Sequence, residues 1–241
     1  MLYALIFMTG ACIGSFINVM LSRKDWFRGR SRCDSCGYTL KWYDMIPIIS
    51  YVLLRGKCRK CKTKIDSTHF MSELFMGAAF LCGSLSFARN GIQSGAIVFA
   101  ALLSLAIAAI EDYKEQMVYG FILNGGILVT LIIKCAVVIS TDGIIYMIIM
   151  IFAVLLLKFT SSVIAFSLKN KIGDGDFDVL IILFILDGWK SLIMSLTIGC
   201  GIGCLIYIPQ ILLKKRTRKE PIPFIPLIFA GTICTVMGGL L

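Results

Sequence analysis

Long apolar runs separated by short polar breaks fill most of this 241-residue chain. A helix needs about 20 apolar residues to cross the hydrocarbon core of a bilayer, and most of the runs reach that length. The pattern therefore predicts an all-α polytopic membrane protein with about eight transmembrane helices. The predicted spans are residues 2–21, 70–88, 94–111, 117–139, 144–168, 177–186, 191–213 and 224–241.

Two apolar runs are too short to span a bilayer alone. We expect the first, at 45–54, to be interfacial or packed on the helix bundle. The second, at 177–186, ends at Asp187-Gly188. Three arrangements are open for this run. It could tilt into a thinned region of the bilayer, extend into the turn at Asp187-Gly188, or stop partway beside a water-filled cavity.

The basic residues are concentrated in the polar breaks between the apolar runs. The net charge is +10, and 12 of the 24 Lys and Arg residues lie in 23–64, with five more in 214–219. Lys114, Lys169 and Lys171 lie in two other polar breaks. The cytoplasmic loops of membrane proteins are enriched in Lys and Arg, so these four loops are predicted to be cytoplasmic. The N-terminus is then predicted to lie outside, and the first span to be an uncleaved anchor. The charge thus indicates topology and contact with anionic lipid, and nucleic-acid binding is not expected.

Two carboxylates stand out because a charge at a membrane boundary is costly and usually functional. Asp112 ends the third predicted span and Asp176 begins the sixth, on the same cytoplasmic face. Two neighbouring carboxylates share a proton, which leaves one base and one acid. The alternative is that both are ordinary loop acids beside basic residues.

The flanking positions suggest how the pair works. Gly173 and Gly175 allow positive φ angles and close approach of another backbone. Asp176 is predicted at a helix N-terminus, whose dipole favours the anion, and Asp112 at a C-terminus, whose dipole disfavours it. We therefore expect Asp176 to be the base and Asp112 the proton carrier.

The only long polar segment, 22–68, carries two Cys-x-x-Cys pairs, Cys33/Cys36 and Cys58/Cys61. Four thiolates in two tight turns are typical of a tetrahedral structural zinc site. Two redox-active pairs are the alternative, although a reducing cytoplasmic face argues against disulfides. A closed four-cysteine site has no open ligand position, so the metal would fold the loop and not catalyse.

Several segments together resemble the type IV prepilin peptidases. The run Gly173-Asp174-Gly175-Asp176 resembles the GxGD motif of intramembrane aspartyl proteases, and Asp112 followed by Lys114 resembles the family's first-aspartate segment. The resemblance extends to GSFINV at 14–19, to WYDMIP at 42–47 with Ser50-Tyr51, and to the four-cysteine loop.

The resemblance implies a bifunctional enzyme of the cytoplasmic membrane. It would cleave the basic leader of prepilins and pseudopilins after a glycine, using Asp112 and Asp176. It would then N-methylate the new terminal residue, usually Phe, with S-adenosylmethionine. The basic loop contains no glycine-rich nucleotide motif, so the sequence assigns no residues to the methyl donor.

Two positions depart from the family's pattern. Tyr119 stands where the family usually has Pro, seven residues after the first aspartate. Asp178 stands where it usually has Lys, and adds an acid near the pair.

The predicted organisation is a first helix at 1–21, a methyltransferase-associated zinc loop at 22–69, and a peptidase domain at 70–241. Two other functions remain open: a peptidase without methyltransferase activity, and a non-enzymatic membrane assembly protein with a zinc-stabilised loop.

Overall fold

The computed structural model describes residues 1–22, 30–33, 35–167, 174–213 and 222–239. Helices dominate this part of the chain. A 3-10 turn at Trp42–Asp44 and a short helix, α2 (Ile49–Leu53), lie in the cysteine loop. The longer helices are α1 (Leu2–Ser22), α3 (Ser67–Glu115), α4 (Gly120–Thr141), α5 (Ile144–Ser167), α6 (Asp174–Leu212) and α7 (Ile225–Met237).

Helix α3 folds back on itself at Gly91. This glycine has φ 80° and ψ 178°, a conformation that only glycine adopts without strain. In a straight helix, residues 83 and 99 would lie about 24 Å apart. Here a Cβ added at Gly83 would lie 2.2 Å from the Phe99 ring, so the chain reverses between them. This reversal confirms the predicted break between the spans at 70–88 and 94–111.

Helix α6 reverses in the same way at Asp187 and Gly188, both of which have non-helical backbone angles. Its first half therefore ends at the predicted position. The Lys134 side chain on α4 donates a hydrogen bond to the Leu186 carbonyl at 3.0 Å, and so satisfies one of the carbonyls that the break leaves unpaired.

Five of the described helices, α1, α3, α4, α5 and α6, are long and apolar enough to cross a membrane. On α5, Ile145, Phe152 and Phe159 lie on one face and are 66–69% exposed. Large apolar side chains are left exposed in this way where lipid is the solvent. The structure thus confirms an all-α polytopic membrane protein. Helix α7 has 13 residues, shorter than the eighth predicted span.

By its internal contacts the chain divides into two compact units, Met1–Leu81 and Cys82–Leu241. In the first unit, α1 packs closely on α3 because Gly10 and Gly14 carry no side chain. A Cβ at Gly14 would lie 2.3 Å from the Ser72 carbonyl oxygen, and one at Gly10 would lie 2.6 Å from that of Met76. Small residues spaced by four are a common way for membrane helices to approach.

In the second unit, α7 packs on the second half of α6, again through glycines. A Cβ at Gly231 would lie 2.2 Å from the Ser195 carbonyl oxygen, and one at Gly199 would lie 2.8 Å from that of Leu227. The hydroxyls of Ser195 and Thr235 form a buried hydrogen bond at 3.1 Å. These contacts fix the N-terminus of α7, which contributes to the site described below. The functional division at residues 21 and 69 stays a prediction.

Candidate active site and metal centre

Asp112 lies near the end of α3, as predicted, but its main partner comes from a distant part of the chain. Its Oδ2 atom accepts a 2.9 Å hydrogen bond from the backbone N–H of Ile225, the first residue of α7. The Phe224 backbone N–H also lies near this carboxylate. Asp112 is 9% exposed. It therefore caps α7, which holds the carboxylate in one place.

Asp176 lies in the first turn of α6, also as predicted. It is partly buried, and its carboxylate interacts electrostatically with that of Asp112. The two residues that the sequence singled out therefore influence each other in the structure. Gly173 lies outside the described residues, as do the basic residues at 169–171 and 214–219.

One expectation about the residues that flank this pair is wrong. Gly175 adopts helical angles and packs against α4, where a Cβ would lie 3.3 Å from Leu123, so it does not open the backbone to a substrate. Asp112 lies in the last turn of α3 and Asp176 in the first turn of α6, as predicted. The Asp112 carboxylate also accepts the N–H of the first residue of α7, so a positive helix end lies beside each carboxylate. Which of the two is the base stays a prediction.

A cavity of about 460 Å³ opens beside Asp176. It lies between the two halves of α6 and reaches the residue that precedes α7. Apart from the Asp176 carboxylate its surface is mainly apolar. The residues that line it are Asp176, Leu180, Leu196, Thr197, Cys200 and Phe224.

Asp178, the unexpected extra acid, is neutralised by a partner on another helix. It is 4% exposed and forms an ion pair with Lys158 of α5. Positions 176 and 178 point to different sides of a helix, since each residue turns the chain by about 100°. Asp178 therefore joins α5 to α6 through a paired charge, and does not add an unpaired acid beside Asp112 and Asp176.

Tyr119, the other departure, also has a specific partner. Its backbone N–H donates a 3.3 Å hydrogen bond to Oε2 of Glu111, and proline would have no hydrogen to donate. Glu111 is 4% exposed, and its other oxygen, Oε1, has no hydrogen-bond partner among the described residues. This contact ties the end of α3 to the start of α4.

The four loop cysteines form a cluster whose dimensions suit a metal. The Sγ atoms of Cys33, Cys36, Cys58 and Cys61 all lie within 4.8 Å of one another. Those of Cys33 and Cys61 are 3.9 Å apart. Zinc–sulfur bonds of about 2.3 Å in a tetrahedron separate the sulfurs by about 3.8 Å, whereas a disulfide bond is about 2.05 Å long. The spacing fits metal ligands.

Neighbouring groups favour deprotonation of two of these thiols, Cys33 and Cys61. The Thr63 hydroxyl, 3.2 Å from the Cys61 sulfur, lowers the pKa of Cys61 to about 6, together with the Thr63 backbone N–H. A hydrogen bond from the Cys36 backbone N–H lowers the pKa of Cys33. Thiolates are the form that binds metal.

The sequence did not predict which contacts hold the cysteine loop in place. Arg59, inside the second cysteine pair, donates from Nε to the buried Asp44 carboxylate at 2.8 Å. This joins the WYDMIP segment to the second cysteine pair.

A second contact that holds the loop involves Glu73. Its Oε2 accepts the Ile48 backbone N–H at 2.7 Å, and the Ser15 side chain is a further partner. Ile48 has φ 63°, an unusual angle for a β-branched residue, and this hydrogen bond helps to hold it. Asn18 of the GSFINV segment contacts the His69 ring at 3.0 Å.

The fold and the site define a class: multi-pass helical membrane proteins with a four-cysteine loop and a carboxylate pair at helix ends. The family model for the bacterial peptidase A24 N-terminal domain matches residues 8–87. Over these residues the chain is similar to that domain, and the relatives described next extend the similarity to most of the chain.

Each of three relatives bears the name prepilin leader peptidase/N-methyltransferase. The protein of Bacillus subtilis is 27% identical over 98% of this chain and 94% of its own length. That of Burkholderia pseudomallei strain K96243 is 27% identical over 87% of this chain and 67% of its own length. That of Myxococcus xanthus is 36% identical over 41% of this chain, which spans only 30% of that protein. No solved structure matches the chain significantly.

Proposed function

We propose that this protein is a membrane aspartic endopeptidase that removes the leader of type IV prepilins and pseudopilins. We further propose that it N-methylates the new terminal residue. The observation that carries the peptidase proposal is that the Asp112 and Asp176 carboxylates, from two helices, interact electrostatically, and that Asp176 lines a cavity. The relatives' names supply the substrate and the second activity.

The carboxylate pair explains peptide hydrolysis in the usual terms of acid–base catalysis. One carboxylate takes a proton from water, and the resulting hydroxide attacks the carbonyl carbon of the scissile bond. The other carboxyl group gives its proton to the carbonyl oxygen. When the tetrahedral intermediate collapses, the C–N bond breaks and the leaving nitrogen takes up the proton held by the base. One hydroxyl of the intermediate returns its proton to the other carboxylate, which restores the pair. The Ile225 N–H holds one oxygen of Asp112 in position throughout.

Zinc is the metal that the four-cysteine cluster fits best, since four thiolates at this spacing form a closed tetrahedral site. Cys33, Cys36, Cys58 and Cys61 would hold it, and its role there would be to stabilise the loop. S-adenosylmethionine would donate the methyl group in the second reaction.

We place the enzyme in the cytoplasmic membrane with the carboxylate pair and the zinc loop on the cytoplasmic face. The distribution of Lys and Arg among the loops supports this orientation. A prepilin with an apolar helix in the same membrane would then present its leader at the depth of Asp112 and Asp176.

The test is to co-express the protein with a prepilin and to measure the mass of the mature pilin. Loss of the leader plus the mass of one methyl group is the expected result. Loss of the leader alone would leave a peptidase without methyltransferase activity. An unchanged mass would contradict the proposal and favour a non-enzymatic assembly protein.

A further inference from the structure

The cavity beside Asp176 has the composition of a side-chain subsite. Leu180, Leu196 and Phe224 supply apolar surface. Thr197 also presents its methyl group, because its hydroxyl donates to the Ile193 carbonyl at 2.7 Å, within its own helix. The cavity is therefore an apolar space with a single carboxylate at one edge.

The cavity is large enough for more than water. Its volume of about 460 Å³ falls in the range of ligand pockets, about 300–1,000 Å³, and accommodates a bulky side chain together with adjoining backbone.

The cavity lies beside the carboxylate pair. Asp176 lines it directly, while Asp112 is bonded to Ile225, the residue after the lining residue Phe224. A side chain that fills the cavity would thus belong to a peptide whose backbone passes the carboxylate pair. This geometry distinguishes the cavity from an apolar depression elsewhere on the lipid-facing surface.

We propose that this cavity is the subsite for a bulky apolar side chain next to the cleaved bond. We further propose that Leu196, Thr197 and Cys200, on the second half of α6, determine the size of side chain that it accepts. The proposal rests on the proposed peptidase function. It assigns a specificity role to a half-helix that contributes neither aspartate.

Cys200 and Cys204 provide a matched pair of variants for the test. Both are exposed cysteines, one turn apart on α6, and only Cys200 lines the cavity. Cys200→Phe should lower kcat/KM for a prepilin with Phe after the cleaved bond by at least 10-fold, mainly through KM. The loss should shrink for the same prepilin with Ala at that position. Cys204→Phe should cleave both substrates like the wild type.

A measurement on unsubstituted protein avoids any folding defect of the variants. N-ethylmaleimide labelling of Cys200 in detergent, quantified by mass spectrometry, should slow at least 5-fold when an uncleavable prepilin analogue is added. An unrelated apolar helix of the same length should give no protection.

The outcomes separate the two proposals. If the wild type cleaves no prepilin, the proposed function fails. If the wild type cleaves but Cys200→Phe affects both substrates equally, or Cys200 is not protected, the cavity holds lipid or nothing, and the subsite proposal is overturned.

Discussion

At the scale of single residues, both departures from the family's pattern are compensated by neighbouring side chains. The Tyr119 backbone N–H donates a hydrogen bond to Glu111, and the Asp178 carboxylate forms an ion pair with Lys158. In each case a residue that looks anomalous in the sequence has a partner that the sequence does not identify. Each pair can be tested by changing both members.

Tyr119→Pro should destabilise the protein although the backbone angle suits proline. Tyr119 has φ −68°, close to the angle that proline imposes, so the main cost is the loss of the Glu111 hydrogen bond. An unsatisfied buried carboxylate oxygen costs about 1–3 kcal/mol. Thermal unfolding in detergent measures the effect.

Tyr119→Ala is the control, because it removes the side chain and keeps the N–H. The double variant Glu111→Leu/Tyr119→Pro should recover much of the loss. Equal stability of Tyr119→Pro and Tyr119→Ala would show that the hydrogen bond is unimportant.

For the Lys158–Asp178 pair, removing either charge alone should be worse than removing both. Lys158→Met leaves a buried carboxylate unpaired. The loss should be up to about 3 kcal/mol, the low end for a buried pair, because 37% of the Lys158 side chain is exposed. Unfolding and prepilin cleavage of Lys158→Met, Asp178→Leu and the double variant provide the comparison. Additive losses in the double variant would refute the pairing.

At the scale of elements, the apolar pattern predicted where the helices run, since length and hydrophobicity are local properties of the chain. The breaks at Gly91 and Asp187–Gly188 were visible for the same reason. The position of α7 was not, because Ile225 binds a carboxylate 113 residues earlier in the chain. Such long-range contacts leave no local signal.

This position of α7 depends on close packing against α6, which a methyl group should disturb. In Gly231→Ala the new Cβ would lie 2.2 Å from the Ser195 carbonyl oxygen. Overpacking of this kind costs about 1–3 kcal/mol, and we expect α7 to shift away from Asp112. Prepilin cleavage should fall at least 10-fold.

Gly201→Ala is the matched control, since a Cβ there meets nothing within 4 Å. It should cleave prepilin like the wild type. If both alanine variants were equally active, packing at Gly231 would not hold the site together.

At the scale of the whole molecule, the Cys-x-x-Cys spacing was enough to predict a four-cysteine cluster, because each pair forms its own tight turn. The hydrogen bonds that hold the cysteine loop in place were not predictable from the sequence. Arg59 with Asp44, and Glu73 with Ile48, join positions 15 and 25 residues apart.

Metal removal should loosen the first compact unit and spare the second. We expect about one zinc per chain in the wild type and none in Cys58→Ser. Cys82→Ser, which alters an equally buried cysteine outside the cluster, should keep the metal. Chelation should increase amide exchange at 30–66 and leave that at 120–141 unchanged. Metal analysis and hydrogen exchange by mass spectrometry measure both. A folded loop without zinc would contradict the metal assignment.

The most direct test of the central claim is the mass of a co-expressed prepilin in three aspartate variants. Asp112→Asn and Asp176→Asn should each reduce leader removal by about 100-fold or more, since each deletes a group that transfers a proton. Asp174→Asn, at the variable position of the same motif, should process prepilin like the wild type. Normal leader removal by either Asp112→Asn or Asp176→Asn, in protein that is folded and present in the membrane, would contradict the account.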